Sequence, residues 1–253
     1  MKAMTNHGSA VGVIGLGDLG TRLVTQILLS NNKVITFDRT NSNSSLNQAV
    51  DPSLSIDGDI KALLAGTSIE AVLSKCQIVH WAIPSNKLSE LPLVPPHCIV
   101  ILHDSVMHNS VLALRGRPDK SQFVIVHCLM NDRKRVLVSK EFGNHQAVSN
   151  HLREIGLLPK YINVKEHDAM MARTQGIFAL LIKLGIGEEL DLRFSAGDLT
   201  PSATELRAAV KNREANWTPQ TLQSILTNPE LKPFVKEIAD VLVNNNERHI
   251  IKH

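Results

Sequence analysis

The stretch Ala10-Val-Gly-Val-Ile-Gly-Leu-Gly-Asp-Leu-Gly20, continued by Thr21-Arg-Leu-Val-Thr-Gln-Ile-Leu-Leu29, decides the reading of this chain. It describes a short apolar strand, a glycine-rich turn and an amphipathic helix in immediate succession. Gly15, Gly17 and Gly20 satisfy the G-x-G-x-x-G pattern of dinucleotide-binding folds, in the required setting after a strand and before a helix. Gly15 permits the tight turn, Gly17 lets the backbone approach a pyrophosphate, and Gly20 lets helix and strand pack closely. Asp18 and Leu19 open the helix, whose first N–H groups and positive dipole end are offered to phosphates. The competing reading is a βα turn whose glycines serve packing alone.

Outward from this turn, strands alternate with helix-length segments. Lys33-Val-Ile-Thr-Phe-Asp38 reads as a second strand ending in an acid, and Asn41 to Asp59 as a polar loop with a weak turn or helix. Ile60 to Lys75 carries Leu63, Leu64, Ile69, Val72 and Leu73, interrupted by Gly66. Gln77 to Ile83, Cys98 to His103, Phe123 to His127 and Arg135 to Val138 are apolar runs of strand length. Such runs imply a parallel sheet covered on both faces. A helix is expected from His145 to Gly156 and a last strand from Lys160 to Val164. From Glu166 onward only helical spacing remains. Ala169, Met170, Phe178, Leu181 and Leu184 form one long stripe, and Thr200-Pro201, Thr218-Pro219 and Asn228-Pro229 each read as a helix start. The expected organisation is therefore α/β over residues 1–165, followed by an all-helical domain over 166–253.

The bulk numbers narrow the function classes. The chain has 253 residues, is 43% apolar and has a net charge of +3, enough for a substantial core and too little charge for a nucleic-acid surface. Aromatic residues at 4% leave no stacking platform for single strands, and Arg133-Lys-Arg135 reads as a solvated loop. Cys76, Cys98 and Cys128 are widely spaced with no Cys-x-x-Cys pair, so no zinc site is expected and free thiols in a reducing compartment are. Met1 to Ser9 has no signal-like apolar core, and no run has membrane length. A soluble cytoplasmic protein is the expectation.

The cofactor signals conflict. Asp38 lies eighteen residues beyond Gly20, where a carboxylate accepts hydrogen bonds from the adenosine ribose and favours NAD. Arg39 and Thr40 follow at once, and a guanidinium and a hydroxyl there suit the 2′-phosphate of NADP. The anionic Asp38 repels a phosphate, which tilts the reading toward NAD and leaves NADP open.

In an open α/β sheet, ligands sit beyond the carboxyl ends of the strands. Ile83 and Pro84 end one strand, where backbone can line the nicotinamide ribose. His103-Asp104-Ser105 ends a second and His127 a third. A histidine at such an edge is placed to act as a general base, its ordinary pKa being near 6.5. The alternative for His127 is a hydrogen-bonded core histidine.

The order G-x-G-x-x-G, Ala82-Ile-Pro84, Asp104-Ser105-Val106, His127-Cys-Leu-Met130 and Glu166-His-Asp-Ala-Met-Met-Ala-Arg-Thr-Gln175 resembles the prephenate/arogenate dehydrogenase family. Ile225-Leu-Thr-Asn-Pro-Glu230 is similar to a late segment of that family. The resemblance implies a Rossmann-type domain, a helical dimerisation domain, NAD or NADP as cofactor and a small-molecule substrate. It also implies an oxidative decarboxylation of tyrosine biosynthesis. Hydride leaves the hydroxyl-bearing ring carbon, and loss of the ring carboxylate as CO2 gives the aromatic product. On this resemblance His127 is the base, Ser105 lies by the nicotinamide and the substrate hydroxyl, and Gln175 and Arg213 meet the substrate.

Departures fall on the substrate side. Met107 stands where the family commonly has lysine, Cys128 replaces a proline, and Ala179 stands where a second histidine is usual. The family's substrate arginine falls at Thr204 or Glu205. Arg173, Arg193, Arg207 and Lys211, with His103 and His108 flanking Ser105, are the cations left to compensate. The alternatives are an oxidoreductase acting on another small acid or imine, and a dinucleotide-binding protein without catalysis. The apolar stripes after residue 165 exceed what one small bundle buries, so a homodimer through the helical part is expected.

Overall fold

A computed structural model of the chain describes residues 10–39, 63–129, 134–188 and 200–250. The chain divides into two compact units, residues 1–163 and 164–253. In the first, β1 (Ala10–Ile14) leads through the glycine turn into α1 (Asp18–Leu29) and β2 (Val34–Phe37). Then come β3 (Leu63–Ala65), α2 (Ile69–Lys75), β4 (Cys76–Trp81), a 3-10 turn (Ser85–Glu90), β5 (Ile99–His103) and α3 (Met107–Leu114). The unit closes with β6 (Phe123–Cys128), β7 (Arg135–Ser139), α4 (His145–Glu154) and β8 (Leu158–Ile162). One sheet holds all eight strands in the order β3-β2-β1-β4-β5-β6-β7-β8.

The register explains why the strands are almost wholly apolar. Val11, Val13, Ile101, Val124 and Val126 share one face, packed beneath Leu23, Val24 and Ile27 of α1 and Val148 and Leu152 of α4. The other face is buried too, with Val79, Trp81, Val100 and Ile125 almost fully excluded from water. A sheet covered on both sides cannot alternate apolar with polar, which is what the sequence runs imply.

Two local expectations are corrected and a third is refined. The sheet is not wholly parallel: β6 and β7 are antiparallel, pairing His127 with Leu137. Only residues 129–134 connect them, whereas a parallel return needs a crossover of a dozen residues or more. Within the segment Ile60 to Lys75, the described residues are strand and then helix. Leu63–Ala65 pairs with β2, and α2 starts after Ser68, whose side chain accepts from the Ala71 N–H. The last strand, β8, lies two residues earlier than the spacing suggests. The polar loop at 41–59 and Thr40 lie outside the described residues.

The second unit is helical throughout its described residues: α5 (Val164–Met171), a π-helical turn (Ala172–Gly176), α6 (Ile177–Lys183), α7 (Pro201–Asn216), α8 (Pro219–Leu226) and α9 (Leu231–Ile250). Thr200 and Thr218 cap α7 and α8 through their hydroxyls, with proline at the first helical position, as the Thr-Pro pairs predict. The long stripe from Ala169 to Leu184 is interrupted by the π turn rather than forming one regular helix. Asn228-Pro229 forms a turn before α9, and Asn228 is buried, donating to the Asp168 carbonyl at 2.9 Å. No described helix is long and apolar enough to cross a membrane.

The contact that joins the glycine turn to α1 has no slack. A Cβ on Gly20 would stand 1.8 Å from the Gly15 carbonyl oxygen, which is backbone and cannot rotate away. A Cβ on Gly17 would meet nothing within 4 Å. Gly20→Ala is therefore expected to cost about 3 kcal/mol or more, and Gly17→Ala to leave stability nearly unchanged. Urea denaturation of the two variants against the unaltered protein checks this, and equal losses would contradict it.

Candidate functional site

The topology changes direction between β1 and β4, and the glycine turn lies at that switch point, where open α/β sheets bind ligands. Gly15 has φ +91, a conformation that favours glycine, and its N–H donates to the Phe37 carbonyl at 2.9 Å. The Leu16 N–H donates to the Asp38 carboxylate at 2.6 Å, tying the turn to the end of β2. Gly17 is the N-cap of α1 in extended conformation, and no side chain caps the helix. The first-turn amides at Asp18, Leu19 and Gly20 consequently have no intrahelical acceptor. The Asp18 side chain pairs with Arg22 at 3.1 Å on the surface, and Leu19 packs against the core.

Ile83 forms the opposite wall. Its side chain comes within 2.7 Å of where a Gly15 Cβ would lie. Pro84, exposed, starts the 3-10 turn over Ser85–Glu90. Arg39 is exposed and paired with Glu90, the last residue of that turn. The glycine turn, Asp38, Arg39, Ile83 and Pro84 thus lie together at the carboxyl end of β1, β2 and β4.

Ser105 and His127 occupy the next strand ends. β5 and β6 pair His103 with Val126, and the Asp104 N–H donates to the Val126 carbonyl at 3.0 Å. Asp104 and His127 therefore extend from adjoining strand ends. Asp104 is committed to the start of α3: its carboxylate accepts from the Val106 N–H at 3.2 Å and the Ser110 hydroxyl at 2.7 Å. Ser105 is half-buried, and its hydroxyl has no hydrogen-bond partner among the described residues. His127 is half-buried as well.

Sequence reasoning treated His103 as a spare cation beside Ser105 and assigned nothing to His80 or His151. The structure links all three. His80 Nδ1 lies 2.9 Å from His103 Nε2, and His80 Nε2 lies 2.8 Å from His151 Nε2. The Cys128 thiol, 3.5 Å from His103 Nδ1, closes the line. Each ring in the series must donate one proton and accept one, so only two proton arrangements satisfy every contact, and each is the reverse of the other. Burial holds all three rings neutral: His80 is well below its ordinary pKa through burial and then through His151 and His103. Burial likewise pushes His103 down to about 3 and His151 down to about 4. Cys128 is pushed up to about 12 by burial and stays a thiol. His103 is accordingly no cation for a substrate. The signal in the sequence was a histidine within each of two fully apolar strand runs, where a polar ring must find a partner.

The helical unit holds the remaining predicted residues. His167 and Asp168 are buried together, His167 Nδ1 2.7 Å from the Asp168 carboxylate. With Asn228 on the Asp168 carbonyl, the Glu-His-Asp element staples α5 to the turn before α9. Gln175 lies in the π turn, a feature frequent at functional sites. The Arg213 guanidinium stacks over the Phe178 ring at 3.6 Å and donates to the Ala209 carbonyl. The Thr204 hydroxyl donates back to the Thr200 carbonyl, Glu205 is exposed, and Ala179 is fully buried. Arg193 lies outside the described residues. Among the described residues, no group of histidines, cysteines and carboxylates is arranged to hold a metal ion.

A glycine turn on a sheet of this strand order defines a Rossmann-type fold with a helical C-terminal region. Solved structures place it more closely. A Corynebacterium glutamicum protein crystallised as a candidate prephenate dehydrogenase matches with a TM-score of 0.70 at 17% identity, over 95% of this chain and 81% of that one. The Aquifex aeolicus prephenate dehydrogenase, in complex with hydroxyphenyl propionate and NAD+, matches with a TM-score of 0.65 at 15% identity, over 97% and 94%. A Synechocystis arogenate dehydrogenase matches with a TM-score of 0.56 at 15% identity, over 95% and 93%. The architecture of this chain is the one shared by prephenate and arogenate dehydrogenases. No protein-family model matches the sequence, and no curated protein sequence does.

The histidine line makes stability depend on pH in a defined direction. The folded pKa values lie below the unfolded value near 6.5, so the unfolded chain binds more protons at intermediate pH. The stabilisation is complete above about pH 6.5 and is lost as pH falls, at about 1.4 kcal/mol per histidine per pH unit. Urea midpoints are expected to drop steeply between pH 6.5 and 4.5, before most carboxylates titrate. A flat profile over that interval would contradict neutral burial of the three rings.

Proposed function

We propose that this protein is an NAD(P)-dependent dehydrogenase that oxidatively decarboxylates prephenate or arogenate. The observation that carries the proposal is the pairing, in one unit, of an uncapped glycine turn with Ser105 and His127 on adjoining strand ends. The similar structures extend over nearly the whole chain, and the Aquifex aeolicus protein among them holds NAD+.

The residues present fit a dinucleotide. The open space at Gly17 and the free amides of the first α1 turn suit a pyrophosphate. Asp38, already oriented by the Leu16 N–H, suits the ribose hydroxyls. When bound, the nicotinamide supplies the acceptor for hydride. His127 takes the proton of the substrate hydroxyl as the hydride leaves the same carbon, and Ser105, free to rotate, hydrogen-bonds that oxygen. The ring carboxylate then departs as CO2, its bonding pair entering the ring, and the resulting phenolate oxygen recovers the proton from His127.

One observation favours a second reading, a different small acid or imine as substrate. Arg213 is stacked on Phe178, and Thr204 and Glu205 supply no guanidinium where the family places its carboxylate clamp.

Turnover of prephenate and arogenate with NAD+ and NADP+ in turn tests the assignment. His127→Asn is expected to lower kcat by about a hundredfold or more while dinucleotide affinity, read from Trp81 and Trp217 fluorescence, stays unchanged. Full turnover in that variant would overturn the role of His127. Dinucleotide binding without turnover of either substrate would leave the second reading or a non-catalytic protein.

The helical unit leaves Met170, Leu184, Leu206, Val235 and Val241 exposed in the single chain, and we assign these side chains to a homodimer contact. Light scattering at micromolar concentration should give about twice the 27.8 kDa chain mass, and a monomer would reject the assignment.

A further inference from the structure

Beyond Asp38, the end of β2 meets the 3-10 turn that follows β4, and three charged side chains meet there. Arg39 donates through Nη2 to Glu90 Oε2. Lys87 donates to the other carboxylate oxygen, Glu90 Oε1, at 3.1 Å. Glu90 is 51 residues from Arg39 in sequence and the most enclosed of the three side chains, at 30% exposure against 60% for Arg39 and 52% for Lys87. Asp38, next to Arg39, has one carboxylate oxygen on the Leu16 N–H.

In folds of this type the acid at the end of β2 receives the ribose 2′-hydroxyl, and a nearby arginine accommodates a 2′-phosphate instead. That service requires a guanidinium with its donors free. Here Arg39 and Lys87 are both held by the Glu90 carboxylate. A 2′-phosphate, carrying close to two negative charges, meets the Glu90 carboxylate beside the guanidinium that would hold it and competes with Glu90 for both partners. A 2′-hydroxyl needs neither cation and leaves the ion pairs intact.

We propose that Glu90 is a specificity-determining residue. It occupies the Arg39–Lys87 cation pair and thereby turns the adenosine end of the site toward NAD+ and away from NADP+. The proposal rests on the reading of the first unit as a dinucleotide site. It makes a residue of the β4-to-β5 connection, outside the β2 end where the acid and arginine signals lie, the one that decides between them.

Equilibrium binding tests it without reference to turnover. NAD+, NADP+, adenosine 5′-monophosphate and adenosine 2′-monophosphate are titrated by calorimetry into the unaltered protein, Glu90→Gln, and Glu90→Gln combined with Arg39→Ala. The unaltered protein should bind NAD+ more tightly than NADP+. Glu90→Gln should tighten NADP+ and adenosine 2′-monophosphate about five- to tenfold, as expected for relief of a partly exposed charge contact, and change NAD+ less than about twofold. Adding Arg39→Ala should abolish the gain, and raising the salt concentration should shrink it. An unchanged NADP+/NAD+ ratio in Glu90→Gln, repeated in Glu90→Ala, would overturn the proposal, as would an unaltered protein that prefers NADP+. Failure of the unaltered protein to bind either dinucleotide would instead overturn the cofactor reading, and this proposal with it.

Discussion

The first unit depends on a place where a helix begins against the carbonyl of the turn before it. Gly15 and Gly20 approach so closely that no side chain fits between them, and this proximity sets where α1 starts and how it lies on the sheet. The rest of the crevice follows from the same contact. The Gly15 N–H reaches the Phe37 carbonyl, the Leu16 N–H reaches Asp38, and the Ala82 N–H reaches the Ile14 carbonyl. The turn is thereby tied to β2 on one side and to β4 on the other. The uncapped end of the helix is left facing the space between them.

Much of this was legible because its causes are local. The glycine spacing, the apolar strand runs and the Thr-Pro starts each describe a few consecutive residues, and the structure follows them. The direction of β7 was also available, in the six-residue separation from β6, but periodicity alone does not carry direction. What the sequence did not disclose depends on residues far apart in it. Leu63–Ala65 becomes a strand only because β2 offers an edge, and the π turn at Ala172–Gly176 shows no breaker beyond a single glycine.

The candidate site divides in the same way. Asp38 and Arg39 announce themselves by position, whereas the hold of Glu90 on Arg39 spans 51 residues and is invisible to any local pattern. His127 and Ser105 are candidates from their places at strand ends. His103, two residues before Ser105, was misread as a cation because its partners, His80 and Cys128, come from β4 and β6. Strand alternation puts its side chain beneath α4 among apolar neighbours, and there a neutral ring is the only stable form. The Glu-His-Asp element, the most specific piece of the resemblance, is buried as a staple within the helical unit.

The line of imidazoles has an evolutionary consequence. His80 bonds to a ring on each side, so exchanging any one of the three for an apolar residue strands an imidazole nitrogen or the Cys128 thiol in the core, while exchanging all three together leaves only the weakly polar thiol without its ring. Single steps away from the trio are uphill, and the level ground lies only at its complete loss. Positions 80, 103 and 151 are therefore expected to change as a set, and a sequence with two of the three histidines would need a new polar partner to stand in for the third.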